Sequence, residues 1–127
     1  MAKSVLDSSA LLAVINGETG ADIVRNAMLE ASISTVNLSE VVAKLAERGM
    51  TEEAIRDILR PFPIETVSFD AEQAYQAGML RPSTKKSGLS MGERACFGLA
   101  LKLQAPVLTG DRSWERVTIG TIVKIIR

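Results

Sequence analysis

Short apolar runs alternate with helix-patterned stretches from one end of this chain to the other, and that alternation narrows the possible folds more than any other feature. Ser4–Leu6, Ser32–Thr35, Ile64–Phe69, Val107–Thr109 and Ile122–Ile126 read as strands. Between them lie helical patterns. Ser8 or Ser9 can cap a helix that runs to about Ile15 and ends at Asn16-Gly17, and Gly20–Glu30 forms a second. Asn37 opens a helix with Val41, Val42, Leu45 and Ala46 on one side, ended by Gly49. Thr51 caps the next, which Pro61 and Pro63 stop, and Asp70 caps another through Met79. Arg81–Gly88, rich in Pro, Ser, Lys and Gly, is expected to be a mobile loop. Ser90 then caps a helix through Leu103 that is apolar almost all round, hence buried. Strands alternating with helices imply a mostly parallel sheet covered on both faces, an α/β fold in three layers, α/β/α. With 127 residues, 46% of them hydrophobic, the chain is expected to form one domain over 1–127 around its own core.

The residues that are missing exclude whole classes of chemistry. There is no histidine, so Ser-His or Cys-His nucleophiles, histidine bases and histidine metal ligands are ruled out. The single Cys96 cannot form an internal disulfide and suits a reducing compartment. No run approaches the roughly 20 apolar residues of a membrane span. Asp7 interrupts the only apolar stretch near the N-terminus that resembles a leader, so the expected location is cytoplasmic. Formal net charge is zero, which removes any whole-molecule attraction for nucleic acid and leaves only local basic patches.

If the chain is an enzyme, carboxylates with a hard metal are the leading way for it to work. Fifteen acids are present, and topology selects among them. Ligands of an open parallel sheet bind at the carboxyl ends of its strands. Asp7 follows the first strand and Asp111 follows the strand at Val107–Thr109. Glu40 and Glu93 fall in the first turns of helices that start at that same edge. Four carboxylates gathered there repel one another unless protonated or bridged by a cation. Mg2+ favours hard oxygen ligands and keeps several waters, and Mn2+ would also fit. Such a centre activates water against a phosphorus atom and neutralises the charge that develops. Each acid also has a local explanation. Asn37-Leu38-Ser39-Glu40 and Ser90-Met91-Gly92-Glu93 both resemble capping boxes, Asp7 could cap a helix, and Asp111 could be a turn residue. Capping and metal binding are compatible, because both place the acid at the same end of the helix.

Four segments, in order and together spanning essentially the whole chain, resemble the PIN-domain family, and within it the VapC-like ribonuclease toxins of toxin–antitoxin pairs. They are Val5-Leu6-Asp7-Ser8-Ser9-Ala10-Leu11-Leu12, Ser34-Thr35-Val36-Asn37-Leu38-Ser39-Glu40-Val41, Leu89-Ser90-Met91-Gly92-Glu93-Arg94-Ala95-Cys96 and Leu108-Thr109-Gly110-Asp111-Arg112-Ser113-Trp114. The resemblance implies a PIN-like fold and a Mg2+-dependent endoribonuclease. In it Asp7, Glu40, Glu93 and Asp111 line the metal site, with Ser8 or Ser9, Asn37 and Thr109 as the polar positions around it. Thr109 would set a hydroxyl beside the acids and orient water, and Asn37 would cap its helix and hold Glu40. The resemblance also implies a cognate antitoxin whose peptide covers the acidic pocket, and a homodimer. One position departs from the family pattern: Glu93 stands where the family usually has aspartate. Its extra methylene moves the carboxylate outward and adds a rotamer to fix.

Arg81, Lys85, Lys86 and Arg94 cluster in sequence ahead of and beside Glu93, and Arg112 follows Asp111. They are read as an RNA phosphate clamp at the rim of the site, against the alternative of a solvated loop. Trp114 is read as a packing residue that pins the loop carrying Asp111. Two other functions are weighed. One is a PIN fold that has lost catalysis and binds RNA or protein, with Glu93 as its sign. The other is a phosphoacceptor domain, disfavoured because the strand after Val107 leads into aspartate rather than a lysine.

Overall fold

The computed structural model describes residues 3–127. Five strands, β1 (Ser4–Leu6), β2 (Ala31–Ser34), β3 (Glu65–Val67), β4 (Val107–Thr109) and β5 (Val123–Ile125), form one sheet in the order β3-β2-β1-β4-β5. Every pairing is parallel, so the expected mostly parallel sheet is parallel throughout. Helices α1 (Ser8–Asn16), α2 (Ala21–Ala27), α3 (Thr35–Glu47), α4 (Glu52–Leu59), α5 (Ala71–Met79), α6 (Arg81–Thr84) and α7 (Met91–Leu103) make the connections from β1 to β4, and a 3-10 turn at Arg112–Arg116 lies between β4 and β5. Successive strand residues point to opposite faces. Leu6, Ile33 and Leu108 therefore pack into one buried cluster with α1, α2 and α3, and Val5 and Val107 into a second with Phe97 and Leu99 of α7 and with Trp114. Two apolar layers around a central sheet make the three-layer sandwich.

Side-chain caps set the starts of α1, α3, α4, α5 and α7. Thr51, Asp70 and Ser90 accept from the backbone N–H groups of Ala54, Gln73 and Glu93, as their sequence positions suggest. Two starts differ. Asp7, not Ser8 or Ser9, caps α1 by accepting from the Ala10 amide. Ser34 caps α3 by accepting from the Val36 amide, so the helix begins at Thr35 and Asn37 is its third residue rather than its opener. Glu40 consequently lies in the second turn, not the first. The β-branched residues of Ser32–Thr35 suggested extended chain through Thr35, but the hydroxyl of Ser34 offers the local bond that starts a helix there.

The expected mobile loop at Arg81–Gly88 is instead partly ordered. Pro82 sits in the first turn of α6, where a missing N–H costs nothing, and buried Thr84 donates its hydroxyl to the Leu80 carbonyl at 2.6 Å. No helix among the described residues is long and apolar enough to cross a membrane.

Candidate active site

At the carboxyl edge of the sheet a cavity of about 210 Å³ is lined by Asp7, Ser8, Ser9, Asn37, Glu40, Ser90, Glu93, Asp111 and Trp114. The four acids picked from sequence are thus brought to one place, each from a different part of the chain. A larger apolar groove of about 770 Å³ between α3 and α4 holds Leu38, Val42, Ile55 and Leu59 and no gathered carboxylates.

Asp7 leaves β1 directly, is 4% exposed, and has three donors. Its Oδ1 accepts from the Ser9 hydroxyl at 2.7 Å and the Ala10 amide at 2.9 Å, and its Oδ2 accepts from the Thr109 hydroxyl. Burial raises its carboxyl above the ordinary aspartate value of 3.8; the hydrogen bonds from Thr109, Ser9 and Ala10 pull the other way, and the nearby charge of Glu40 adds to the rise. Thr109 Oγ1 also accepts from the Asp111 amide at 3.0 Å, so one hydroxyl ties the end of β1 to the turn after β4. Ser9 strengthens that tie by accepting from the Gly110 amide at 2.8 Å. Both serines line the cavity, but Ser9 is the one built into this network.

Glu40 is held from the side. The amide of Asn37, one turn earlier in α3, donates to Glu40 Oε1 at 2.8 Å and to the Gly92 carbonyl at 3.0 Å. Asn37 therefore joins α3 to α7, while its own Oδ1 is buried without a protein partner. Glu93 closes the capping box expected at Ser90, accepting the Ser90 amide at 2.8 Å, and its other oxygen accepts from Trp114 Nε1 at 2.8 Å. Asp111 caps a 3-10 turn at Arg112–Arg116 by accepting from the amide and hydroxyl of Ser113 at 2.9 and 2.7 Å.

Among the described residues no lysine or arginine forms an ion pair with any of these four acids. The Cys96 thiol, buried in α7, registers the same charge: burial first, then Asp7, Glu40 and Glu93, push it well above its ordinary range. A hard divalent cation matches this donor set, which is all oxygen and has surplus negative charge. The side chains as placed spend their oxygens on local donors, and among the described residues no three Cys, Asp or Glu groups surround a common point that could hold an ion. The residue types fit a cation, and at least some of the present rotamers would have to turn to share one.

The basic residues divide. Arg94 does not line the cavity: its guanidinium donates to the Ala77 carbonyl at 2.9 Å and links α7 to α5. Arg81, Lys85 and Lys86 are exposed around α6 and also stand outside the cavity lining. Arg112 lines an adjoining open cleft with Ser9, Gly110, Asp111 and Arg127, a neighbour that sequence reasoning did not single out. There Arg127 packs over Gly110, where a Cβ would fall 3.0 Å from its Nε, and pairs with Glu18 at 2.6 Å. Arg127 carried no signal in sequence, since only the return of β5 beside β4 brings it to this edge.

An all-parallel sheet with carboxylates gathered at its carboxyl edge defines the class as an α/β domain with an acidic pocket. The PIN domain family matches residues 4–120, and the chain belongs to that family. It is similar to a protein named ribonuclease VapC42 of Mycobacterium tuberculosis, 26% identical over 114 residues, covering 82% of this chain and 87% of that one. Among solved structures it is similar to DNA-bound VapBC from Salmonella typhimurium, with a TM-score of 0.78, 21% identity and 100% of both chains covered. It is also similar to a toxin–antitoxin complex from Klebsiella pneumoniae, with a TM-score of 0.75, 17% identity and 98% of both chains covered.

Proposed function

We propose that this protein is a divalent-metal-dependent endoribonuclease, the toxin of a toxin–antitoxin pair. The observation that carries the proposal is the cavity lined by Asp7, Glu40, Glu93 and Asp111 with no cationic side chain among the described residues paired to them. Family membership and the relatives named as ribonucleases support it. Asp7, Glu40, Glu93 and Asp111 would hold Mg2+, or Mn2+ in its place. When bound, such an ion supplies an activated water and neutralises charge on the phosphate. The chain's own residues do the positioning. Thr109 and Ser9 fix Asp7, Asn37 fixes Glu40, and Ser8 and Asn37 line the pocket where substrate would enter. Arg112, which lines the adjoining cleft, would meet a flanking phosphate, with Arg81, Lys85 and Lys86 as outlying contacts.

The partners proposed are an RNA substrate, a cognate antitoxin that covers the acidic pocket, and a second copy of the chain, all in the cytoplasm. That solved neighbours are toxin–antitoxin complexes supports the antitoxin. Purified protein should cut RNA with Mg2+ or Mn2+ and stop when the metal is chelated, and Asp7→Asn should abolish cutting. Cleavage that persists in Asp7→Asn would point to a contaminating nuclease and sink the assignment.

A second reading has its own support. Both Glu93 oxygens are engaged by Ser90 and Trp114, and among the described residues no three acids surround one point as placed. On that reading the fold binds RNA or protein without cutting it. RNA retention by wild-type protein with Mn2+ present and no cleavage would favour it.

A further inference from the structure

Trp114 lies in the 3-10 turn that follows Asp111 and is 2% exposed. Its ring packs on Phe97 of α7, with centroids 4.7 Å apart and planes inclined at 36°. A buried indole N–H needs an acceptor, and here that acceptor is Glu93 Oε2 at 2.8 Å. The other oxygen of Glu93 is closed in the capping box by the Ser90 amide at 2.8 Å. One oxygen turns back to its own helix start while the other reaches the indole.

We propose that Trp114 is a positioning residue that pins the Glu93 carboxylate at the wall of the acidic pocket. The inference rests on the proposed metal site. A glutamate in place of an aspartate brings an extra torsion, and ordering it on metal binding would cost rotamer entropy. The indole and the Ser90 amide order it in advance. Each carboxylate oxygen keeps a lone pair beyond the one used by its donor, so the pinned group retains capacity for a cation or its water. The ring does the pinning because Phe97 holds it, and the 3-10 turn couples it to Asp111, whose carboxylate caps that same turn. Two acids of the pocket are thereby set by one structural unit.

The chain contains one tryptophan, so its indole N–H gives a single side-chain resonance that reports on this contact. In metal-free 15N-labelled protein, Glu93→Ala should shift that resonance clearly, and an unchanged resonance would overturn the contact. Mn2+ binding, followed by the electron paramagnetic resonance of free Mn2+, then tests the consequence. Trp114→Phe keeps a ring against Phe97 and removes only the donor. It should weaken Mn2+ binding by on the order of tenfold in wild-type protein. In a Glu93→Gln background the same change should add less than about twofold, because the partner is already altered. Unaltered affinity in Trp114→Phe, or an equal loss in both backgrounds, would overturn the assignment. Wild-type protein that shows no saturable Mn2+ binding would instead sink the metal site itself, a failure told apart because the indole resonance needs no metal.

Discussion

Gly92, the second residue of α7, lies against the carboxylate of Glu40 in α3, and a Cβ on Gly92 would fall 2.8 Å from the Glu40 carboxyl carbon. The close approach lets Asn37 reach both partners with one amide. Gly92→Ala therefore sets two effects against each other. Alanine is favoured over glycine within a helix by roughly 1 kcal/mol. The obstacle is the end of a flexible side chain, which can swing away without unfolding anything. The expected outcome is a melting temperature equal to or above wild type, with Mn2+ affinity and RNA cleavage reduced by on the order of tenfold. Calorimetry and a cleavage assay on the same preparation check both. A lowered melting temperature with unchanged cleavage would show that Glu40 is not needed where it stands.

Asp7→Asn should also separate stability from activity. The carboxylate sits in a buried site with no basic partner among the described residues, while an asparagine can still cap α1 through its Oδ1 and is spared the desolvation of a charge. Cleavage should fall by on the order of 100-fold or more. The metal-free melting temperature at neutral pH should hold or rise, as expected where function has been bought with a strained charge.

Much of this site was legible in the sequence because topology and local chemistry agree. Asp7 and Asp111 follow strands, and strands of a parallel sheet end together, so their convergence needed no coordinates. Ser90 and Glu93 were readable as a capping box and form one. What stayed hidden depends on distant packing. Nothing local to Asn37 says that α3 is capped three residues earlier, at Ser34, nor that the Asn37 amide would meet the Gly92 carbonyl 55 positions later. Arg94 looked like part of a basic rim, yet the facing of α7 on α5 turns it to Ala77. Trp114 was expected to pack, and its packing on Phe97 is observed, but its bond to Glu93 crosses from one element to another and leaves no trace in spacing.

Stability of the metal-free protein should depend on pH through Asp7. Burial holds its folded-state carboxyl above the ordinary value of 3.8, near which the unfolded chain releases its proton. Between those two points the folded state carries more protons than the unfolded one. Raising the pH therefore lowers stability in that window, and above the folded value the loss is complete. The melting temperature of wild type minus that of Asp7→Asn should accordingly become more negative as pH climbs from about 4 toward neutral, then level off. Adding Mn2+ at neutral pH should restore wild type and do much less for the variant. A difference that grows more positive with pH would mean that the hydrogen bonds from Thr109, Ser9 and Ala10 outweigh burial.

The two groups of basic residues should respond differently to mutation. Arg94 donates to the carbonyl of Ala77 near the end of α5, and its Nε is buried without a partner. Arg94→Met loses a bond from a charged donor and relieves that unpaired nitrogen, for a net cost of about 1–2 kcal/mol in stability. Because the side chain is committed to α5, RNA affinity should stay within about twofold of the parent. Lys85 and Lys86 are exposed, and removing them should leave stability nearly untouched. If each meets a phosphate, Lys85→Ala with Lys86→Ala should weaken RNA binding and lower the slope of log affinity against log salt by roughly 0.7 per residue for a single strand. Titrations at several salt concentrations, made in the Asp7→Asn background so that the RNA survives, measure both quantities. A salt slope that falls with Arg94→Met and stays fixed with the lysine pair would reverse the assignment, making α7 the phosphate-facing element and the segment after α6 a solvated turn.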